Sequence, residues 1–234
     1  MKIRHAWNSF APITERVAKT VALVAFALVA LLRAANVSAE PLAEISGQSG
    51  SGVIADVTYG WSFSTGDLPI HVTELGIYDR FEDGLADSHE VGLWRVSDSA
   101  LLTSTIVPAS TAAPLIDGVR YAATTPVTLD PNADYVLGAY YPTSSDTMWT
   151  EATVTMNLDA TFGTAKGSLA GNGFVLPTFG LNPTFAEGFF GPNLIGTAVP
   201  EPSTLALGGL GAIGLAGAWI RTRRTAHFRR SSKG

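Results

Sequence analysis

The sequence predicts an all-β fold, an antiparallel β-sandwich or jelly roll, flanked by an N-terminal signal peptide and a C-terminal transmembrane helix. Between the two ends, short runs of β-branched and aromatic residues alternate with turn residues, as strands and their connections do. This middle region has no convincing amphipathic helix, which favours packed antiparallel sheets. Each end of the chain carries an uncharged apolar run beside basic residues.

The first 39 residues have the pattern of a secretory signal peptide. Basic residues precede an unbroken apolar run, residues 21–32, which is too short to span a membrane permanently. Val37, Ser38 and Ala39 form a small-residue cleavage site, so we expect the exported chain to begin at Glu40. The Sec export machinery is the expected partner at this step, and a permanent N-terminal anchor is the alternative.

Seven runs between residues 59 and 158 alternate as strands do. They cover residues 59–64, 70–78, 90–96, 101–107, 120–124, 135–141 and 151–158. In the first run, Tyr59, Trp61 and Phe63 occupy alternate positions and predict one buried face. Five prolines are expected between the runs, where a sheet tolerates them: Pro108, Pro114, Pro126, Pro131 and Pro142.

The segments that flank these runs are predicted to be irregular. Residues 40–52 contain several Ser and Gly and predict a loose leader, so the core of the exported domain, residues 40–198, is expected within about residues 53–192. Residues 167–192 are rich in Gly, Phe, Asn and Pro and predict either a final hairpin pair or an aromatic loop over the sandwich. Their phenylalanines would pack in the core or form a sugar-binding platform. Residues 186–198 predict a tether.

Without its terminal signals the chain is strongly acidic. Residues 40–198 contain four basic and eighteen acidic residues, a net charge of −14, whereas the whole chain carries −5. Such a charge repels phosphates, so nucleic acid is not an expected partner. The chain contains no cysteine, which excludes thiol catalysis, zinc–thiolate sites and iron–sulfur clusters.

The C-terminal tail, residues 199–234, combines a proline-flanked acid, an apolar run and a basic end. It opens with Val199, Pro200, Glu201 and Pro202. Residues 203–220 are uncharged, and a helix of this length rises about 27 Å, just enough to cross a bilayer core. Arg221, Arg223 and Arg224 begin a basic tail, residues 221–234, which the positive-inside rule places in the cytoplasm. A buried core helix of a soluble domain is the alternative.

The order and spacing of these elements resemble the PEP-CTERM sorting signal of Gram-negative bacteria. The resemblance implies recognition by an exosortase, a membrane-embedded cysteine protease or transpeptidase, which acts at or near Pro200, Glu201 and Pro202. It also implies transient anchoring in the inner membrane, followed by delivery to the cell surface or the exopolysaccharide matrix. The motif residues would then be a substrate and not catalytic groups.

The middle of the chain resembles an uncharacterised class of exported passenger domains, which are similar to β-sandwiches of unknown function. Five segments carry this resemblance: Gly60-Trp61-Ser62-Phe63, Leu75-Gly76-Ile77-Tyr78-Asp79, Asp83-Gly84-Leu85, His89-Glu90-Val91-Gly92-Leu93-Trp94 and Gly138-Ala139-Tyr140-Tyr141. It spans about residues 56–141 and implies a sandwich, but it supplies no active site.

The densest polar cluster, residues 79–90, has the ligand spacing of a twelve-residue calcium loop. With Asp79 at position 1, Asp83, Asp87 and Glu90 fall at positions 5, 9 and 12, and a glycine falls at position 6. Phe81 replaces the ligand expected at position 3, and the flanks are strands, so the segment is not an EF-hand. A calcium-binding sandwich loop with these four acids as ligands therefore competes with a solvated hairpin loop.

Catalytic groups are scarce in residues 40–198, and we predict no catalytic residue. A Ser–His–acid triad would need His71 or His89, and no G-x-S-x-G elbow is present. A histidine metal centre would need both, although we expect each on a sheet surface or in a loop. We therefore expect a non-enzymatic surface or matrix protein, structural or glycan-contacting. The alternative is a secreted carboxylate-dependent hydrolase of matrix polysaccharide, whose paired acids a sequence cannot place.

Overall fold

The computed structural model describes residues 38–180 and 189–199, which form strands and no helix. The strands are β1 (Glu40–Pro41), β2 (Ala43–Ser51), β3 (Val57–Thr65), β4 (Ile70–Tyr78), β5 (His89–Arg95), β6 (Leu101–Val107), β7 (Leu115–Ile116), β8 (Val119–Leu129), β9 (Asp134–Tyr141), β10 (Trp149–Met156), β11 (Ala160–Gly167), β12 (Phe179–Gly180) and β13 (Pro192–Ala198). Within these two ranges no helix is long and apolar enough to cross a membrane. The predicted membrane helix, residues 203–220, and nearly all of the predicted signal peptide lie outside them.

The strands pair antiparallel and form two main sheets and one small sheet. The five-stranded sheet has the order β1-β13-β4-β8-β7, the six-stranded sheet β12-β11-β3-β9-β5-β6, and the small sheet β10-β2. Buried residues of both main sheets belong to one hydrophobic core, as in a β-sandwich. The predicted antiparallel all-β class is confirmed.

The alternation in β3 decides which face of the six-stranded sheet is buried. Tyr59, Trp61 and Phe63 all point into the core, as predicted. Phe63 stacks on Tyr135 of β9 with ring centroids 5.6 Å apart, and the indole N–H of Trp61 donates to the carbonyl oxygen of Pro192 at 2.9 Å. The second contact joins the two main sheets and satisfies the one polar group that this tryptophan buries.

Most predicted strands match the structure. Ile70–Tyr78 and Leu101–Val107 have the predicted bounds, and four of the other runs differ by one or two residues at an end. The run at residues 120–124 is part of the longer β8. These runs were predictable because one face of each meets the core and the other does not, which imposes the alternation.

Pro126 lies inside β8, although we predicted it between strands. The pairing of β4 with β8 changes register beside it, because Val72 lies opposite Val127 whereas Glu74 lies opposite Ala123. A bulge of this kind interrupts the ladder of hydrogen bonds, so a residue without an N–H group is tolerated there.

Two segments that we predicted to be irregular are strands, and both predictions were wrong. Residues 40–52 contain β1 and β2, and the adjacent Leu42 and Ala43 are buried. The predicted tether, residues 186–198, contains β13, which pairs with β1 on one side and β4 on the other and buries Leu194 completely. The core thus includes residues on both sides of the expected 53–192.

The outer face of the six-stranded sheet carries a flat row without side chains. Three glycines lie directly opposite one another on adjacent strands: Gly60, Gly138 and Gly92. A Cβ at Gly138 would lie 3.1 Å from Pro177, and one at Gly92 would lie 2.6 Å from the ring of Phe174. The row therefore lets residues 168–178, which we call the strap, lie close against the sheet.

Thr58 of β3 fixes the strap in place. Its hydroxyl donates to the carbonyl oxygen of Gly173 at 2.9 Å and accepts the amide hydrogen of Val175 at 3.2 Å. Phe174 packs on Trp94, with ring centroids 5.1 Å apart. The aromatic-loop alternative for residues 167–192 therefore holds for the strap, but its phenylalanine packs against the protein and forms no exposed sugar-binding platform.

Candidate functional site

The described chain ends in a strand that leads directly into the predicted sorting signal. After β13, the amide of Val199 donates to the carbonyl oxygen of Pro69 at 2.9 Å. Glu40, the predicted start of the exported chain, lies opposite Gly196 of β13, so the two ends of the domain are neighbours. The other predicted sorting residues lie outside the described residues: Pro200, Glu201, Pro202, Arg221, Arg223 and Arg224.

Asp79, the first predicted calcium ligand, forms a buried ion pair. Its Oδ2 lies 2.7 Å from Nε of Arg120 on β8, and neither side chain is more than 5% exposed. The same oxygen accepts the amide hydrogen of Gly84 at 2.9 Å, while Arg120 donates to the carbonyl oxygen of Ala113 at 2.9 Å. The carboxylate therefore joins the β4–β5 loop to the five-stranded sheet.

The other three predicted calcium ligands do not join Asp79 in a metal site. Asp83 is exposed, Asp87 accepts a hydrogen bond from Thr143, and Glu90 accepts one from Ser104 at 3.4 Å. Among the residues that the structure describes, no three Asp, Glu or His side chains form a group that could hold a metal ion. The calcium loop stays a sequence prediction without geometric support.

His89 is fully buried, so our expectation of a surface or loop position was wrong. It begins β5 on the inner face. Its Nδ1 lies 2.9 Å from the carbonyl oxygen of Tyr140, and its Nε2 lies 2.8 Å from Oδ2 of Asp146. Both ring nitrogens are therefore engaged, one with a backbone carbonyl oxygen and the other with a carboxylate. No ring nitrogen remains to act as the base of a catalytic triad.

Asp146 connects three parts of the protein. Besides His89, its carboxylate accepts the amide hydrogens of Ala86 and Asp87, each at 2.9 Å. Burial raises the pKa of Asp146, but the hydrogen bonds from His89 and from the two amides outweigh burial, so this pKa lies below its ordinary value. The ionised carboxylate therefore stabilises the β4–β5 loop against the segment after β9.

Asp146→Asn is expected to lower the free energy of unfolding at pH 7 by about 1–3 kcal/mol, since an amide cannot accept all three hydrogen bonds. The lowered pKa gives the pH dependence. The stabilisation is fully present above the unfolded-state pKa of about 3.9 and is lost as the pH falls through the lower folded-state pKa. The free energies of unfolding of the variant and the wild type, measured with urea, should therefore differ less at strongly acidic pH than at pH 7. An equal difference at both pH values would contradict this role of Asp146.

The basic side chains of the described residues differ in what they contact. Arg95 and Arg120 form ion pairs with carboxylates, and the Arg80 guanidinium lies 4.4 Å from the ring centroid of Trp149. Lys166 of β11 has no ion pair, side-chain hydrogen bond or aromatic contact within the described residues. Among the basic side chains that the structure describes, the ammonium group of Lys166 is therefore the one available to a ligand.

Lys166 borders an open groove on the outer face of the six-stranded sheet, with a volume of about 370 Å³. The floor consists of residues of β3 and β9, and the walls come from the strap end and from the turn after β5. The lining residues are Ser62, Phe63, Ser64, Val96, Ser99, Asp134, Val136, Lys166, Leu176, Pro177 and Thr178. The hydroxyl of Ser64 donates to Oδ1 of Asp134 at 2.5 Å, which orients that carboxylate.

The lining of this groove suits a ligand with many hydroxyl groups. Asp134 accepts hydrogen bonds and Lys166 donates them, while four serine and threonine hydroxyls can do either. Aliphatic side chains that are at least partly exposed, Val96 and Leu176, supply the apolar surface that covers C–H groups. Asp134 is the one carboxylate in the lining, whereas glycoside hydrolysis uses two.

Sequence reasoning did not find this groove. The alternation of β3 places Ser62 and Ser64 opposite the buried aromatic residues, but it does not say what faces them. Asp134 becomes their neighbour through the pairing of Ser64 with Asp134, and Lys166 through its pairing with Gly60. A register between distant strands is not readable from one sequence.

Comparison with known proteins bears on the tail. The family model of the PEP-CTERM protein-sorting motif matches residues 198–224. No curated protein is similar enough to this chain to be matched with it. The match confirms the resemblance found in the tail and implies processing by an exosortase, export and transient membrane anchoring before sorting to the surface. The chain carries a PEP-CTERM protein-sorting motif behind an all-β passenger, and this motif supports export and sorting by an exosortase.

Proposed function

We propose that the passenger is a non-catalytic protein of the cell surface or the biofilm matrix, which contacts exopolysaccharide through the groove beside the strap. The observation that carries this proposal is the combination of a free ammonium group, one oriented carboxylate and several hydroxyls in a single open groove of about 370 Å³. That volume lies in the range of small-ligand sites, about 300–1,000 Å³.

Neutral sugars are the ligand class that best fits this lining. The carboxylate of Asp134 would accept hydrogen bonds from sugar hydroxyls, and Lys166 would donate to others. A strongly anionic polymer is less suitable, because residues 40–198 carry a net charge of −14 that repels it. An open groove also accommodates a residue within a long chain, since both ends of the bound segment can leave it.

The hydrolase alternative receives no comparable support. The groove has one carboxylate in its lining, and His89 is buried with both ring nitrogens engaged. Hydrolysis by an exported carboxylate enzyme would need a second acid across the sugar from Asp134. We therefore propose binding or a structural role in the matrix, with no catalytic residue.

Asp134→Asn and Lys166→Met should each weaken binding of residues 40–199 to the exopolysaccharide of the host by about 10-fold, since each removes a charge-assisted hydrogen bond. Isothermal titration or a pull-down with the purified polysaccharide, with and without a calcium chelator, measures this. Asp130→Asn is the matched control, because Asp130 is an exposed acid on the adjacent turn and does not line the groove. Equal affinity of all four proteins would refute the groove as the binding site.

A further inference from the structure

The last strand of the passenger overlaps the sorting motif. The matched motif begins at residue 198, and Ala198 is the final residue of β13. Ala198 lies opposite Ile70 of β4, and the amide of the following Val199 is bonded to Pro69. The fold therefore holds the chain up to the residue before Pro200.

This strand is a poor substrate while it stays in the sheet. β13 pairs with β4 from Pro192 to Ala198 and with β1 at Ile195 and Gly196, so its last two residues are held on the β4 side. An enzyme that binds its substrate as an extended segment uses backbone groups, and the groups of residues 197–199 that face β4 are already paired there. In the sequence, Pro200 follows the bonded residue Val199 directly, with no linker between the last strand and the motif.

We propose that the exosortase gains access to the Pro200–Glu201–Pro202 motif only when the end of β13, residues 197–199, detaches from β4. Processing is then governed by local opening of the passenger as well as by the motif. The side chains of this end are partly exposed, and they form the last pairs of the ladder, so they open more readily than the core part of β13. The enzyme would act on that open fraction of molecules.

The proposal predicts that locking the strand end blocks processing. Thr197 lies directly opposite His71, and both side chains are partly exposed on the outer face. Directly opposed antiparallel residues are about 4.5–5.5 Å apart between Cα atoms, a distance that a disulfide spans. The chain has no cysteine of its own, so His71→Cys with Thr197→Cys gives a single defined bridge after export.

The experiment follows processing of the full-length precursor in a host that has an exosortase, by the loss of the C-terminal tail on a gel. The His71→Cys/Thr197→Cys lock should slow processing at least 10-fold. Insertion of six Gly/Ser residues between Val199 and Pro200 should restore it in the locked protein, because the linker supplies extended chain outside the sheet. The matched control bridge is Glu44→Cys/Thr155→Cys, another directly opposed exposed pair, on β2 and β10.

The control bridge should leave the processing rate unchanged. If the locked precursor is processed as fast as wild type, the inference is wrong. It is equally wrong if the linker fails to rescue the locked protein, since the bridge would then act through something other than access to the motif. Neither result bears on glycan binding, which is measured separately on the domain.

Discussion

Arg120→Met is expected to lower the free energy of unfolding of the domain by about 3–5 kcal/mol, because it leaves the buried carboxylate of Asp79 without its charged partner. Both side chains of this pair are almost fully buried. The variant also removes the hydrogen bond from Arg120 to the carbonyl oxygen of Ala113. Urea unfolding of residues 40–199 at pH 7 measures the loss.

Two further variants test whether the loss of stability comes from an unpaired buried charge. Arg95→Met removes an exposed ion pair with Asp98 and should leave the melting temperature almost unchanged. The double variant Asp79→Leu/Arg120→Met should be more stable than Arg120→Met alone, since no unpaired charge remains. A single Arg120→Met variant as stable as wild type would contradict the structural role of the pair.

Replacement of Pro200, Glu201 and Pro202 by three alanines is expected to keep the passenger attached to the inner membrane. The substitution removes the acid and both prolines of the matched sorting motif. Fractionation of cells should then find the full-length variant with the membrane, whereas the wild-type protein is expected to be released.

The stability of the passenger supplies the control for this prediction. The three substituted residues follow the last strand, so the melting temperature of the exported domain should not change. Pro131→Ala changes a proline in an exposed turn and should leave release intact. Release of the triple-alanine protein at the wild-type rate would contradict the assignment of the motif.

The sequence predicted the fold class because the core imposes alternation on the strands that cover it. Residues 70–78 and 101–107 were placed with the observed bounds. β2 was missed because its sequence, AEISGQSGS, contains few apolar residues and pairs with β10 in a small two-stranded sheet. β13 was missed because a strand beside a predicted sorting signal resembles a tether when its neighbours in the sheet are unknown.

The candidate site was less predictable than the fold, because it depends on contacts between distant residues. Asp79 had the spacing of a calcium ligand, yet Arg120, 41 residues away, occupies its carboxylate. We expected His89 on a sheet surface or in a loop, yet its position on the inner face of β5 buries it against Asp146. Local pattern fixes a residue's face on a strand, whereas pairing between strands decides its partners.

The most direct test of the account is nuclear magnetic resonance of residues 40–199 during titration with oligosaccharides cut from the exopolysaccharide of the host. Saturable chemical-shift changes are expected at the groove, in the amides of Ser62, Ser64 and Asp134 and in residues 176–178 of the strap. Shift changes confined to the β4–β5 loop, or no changes at saturating concentration, would contradict a glycan-binding groove.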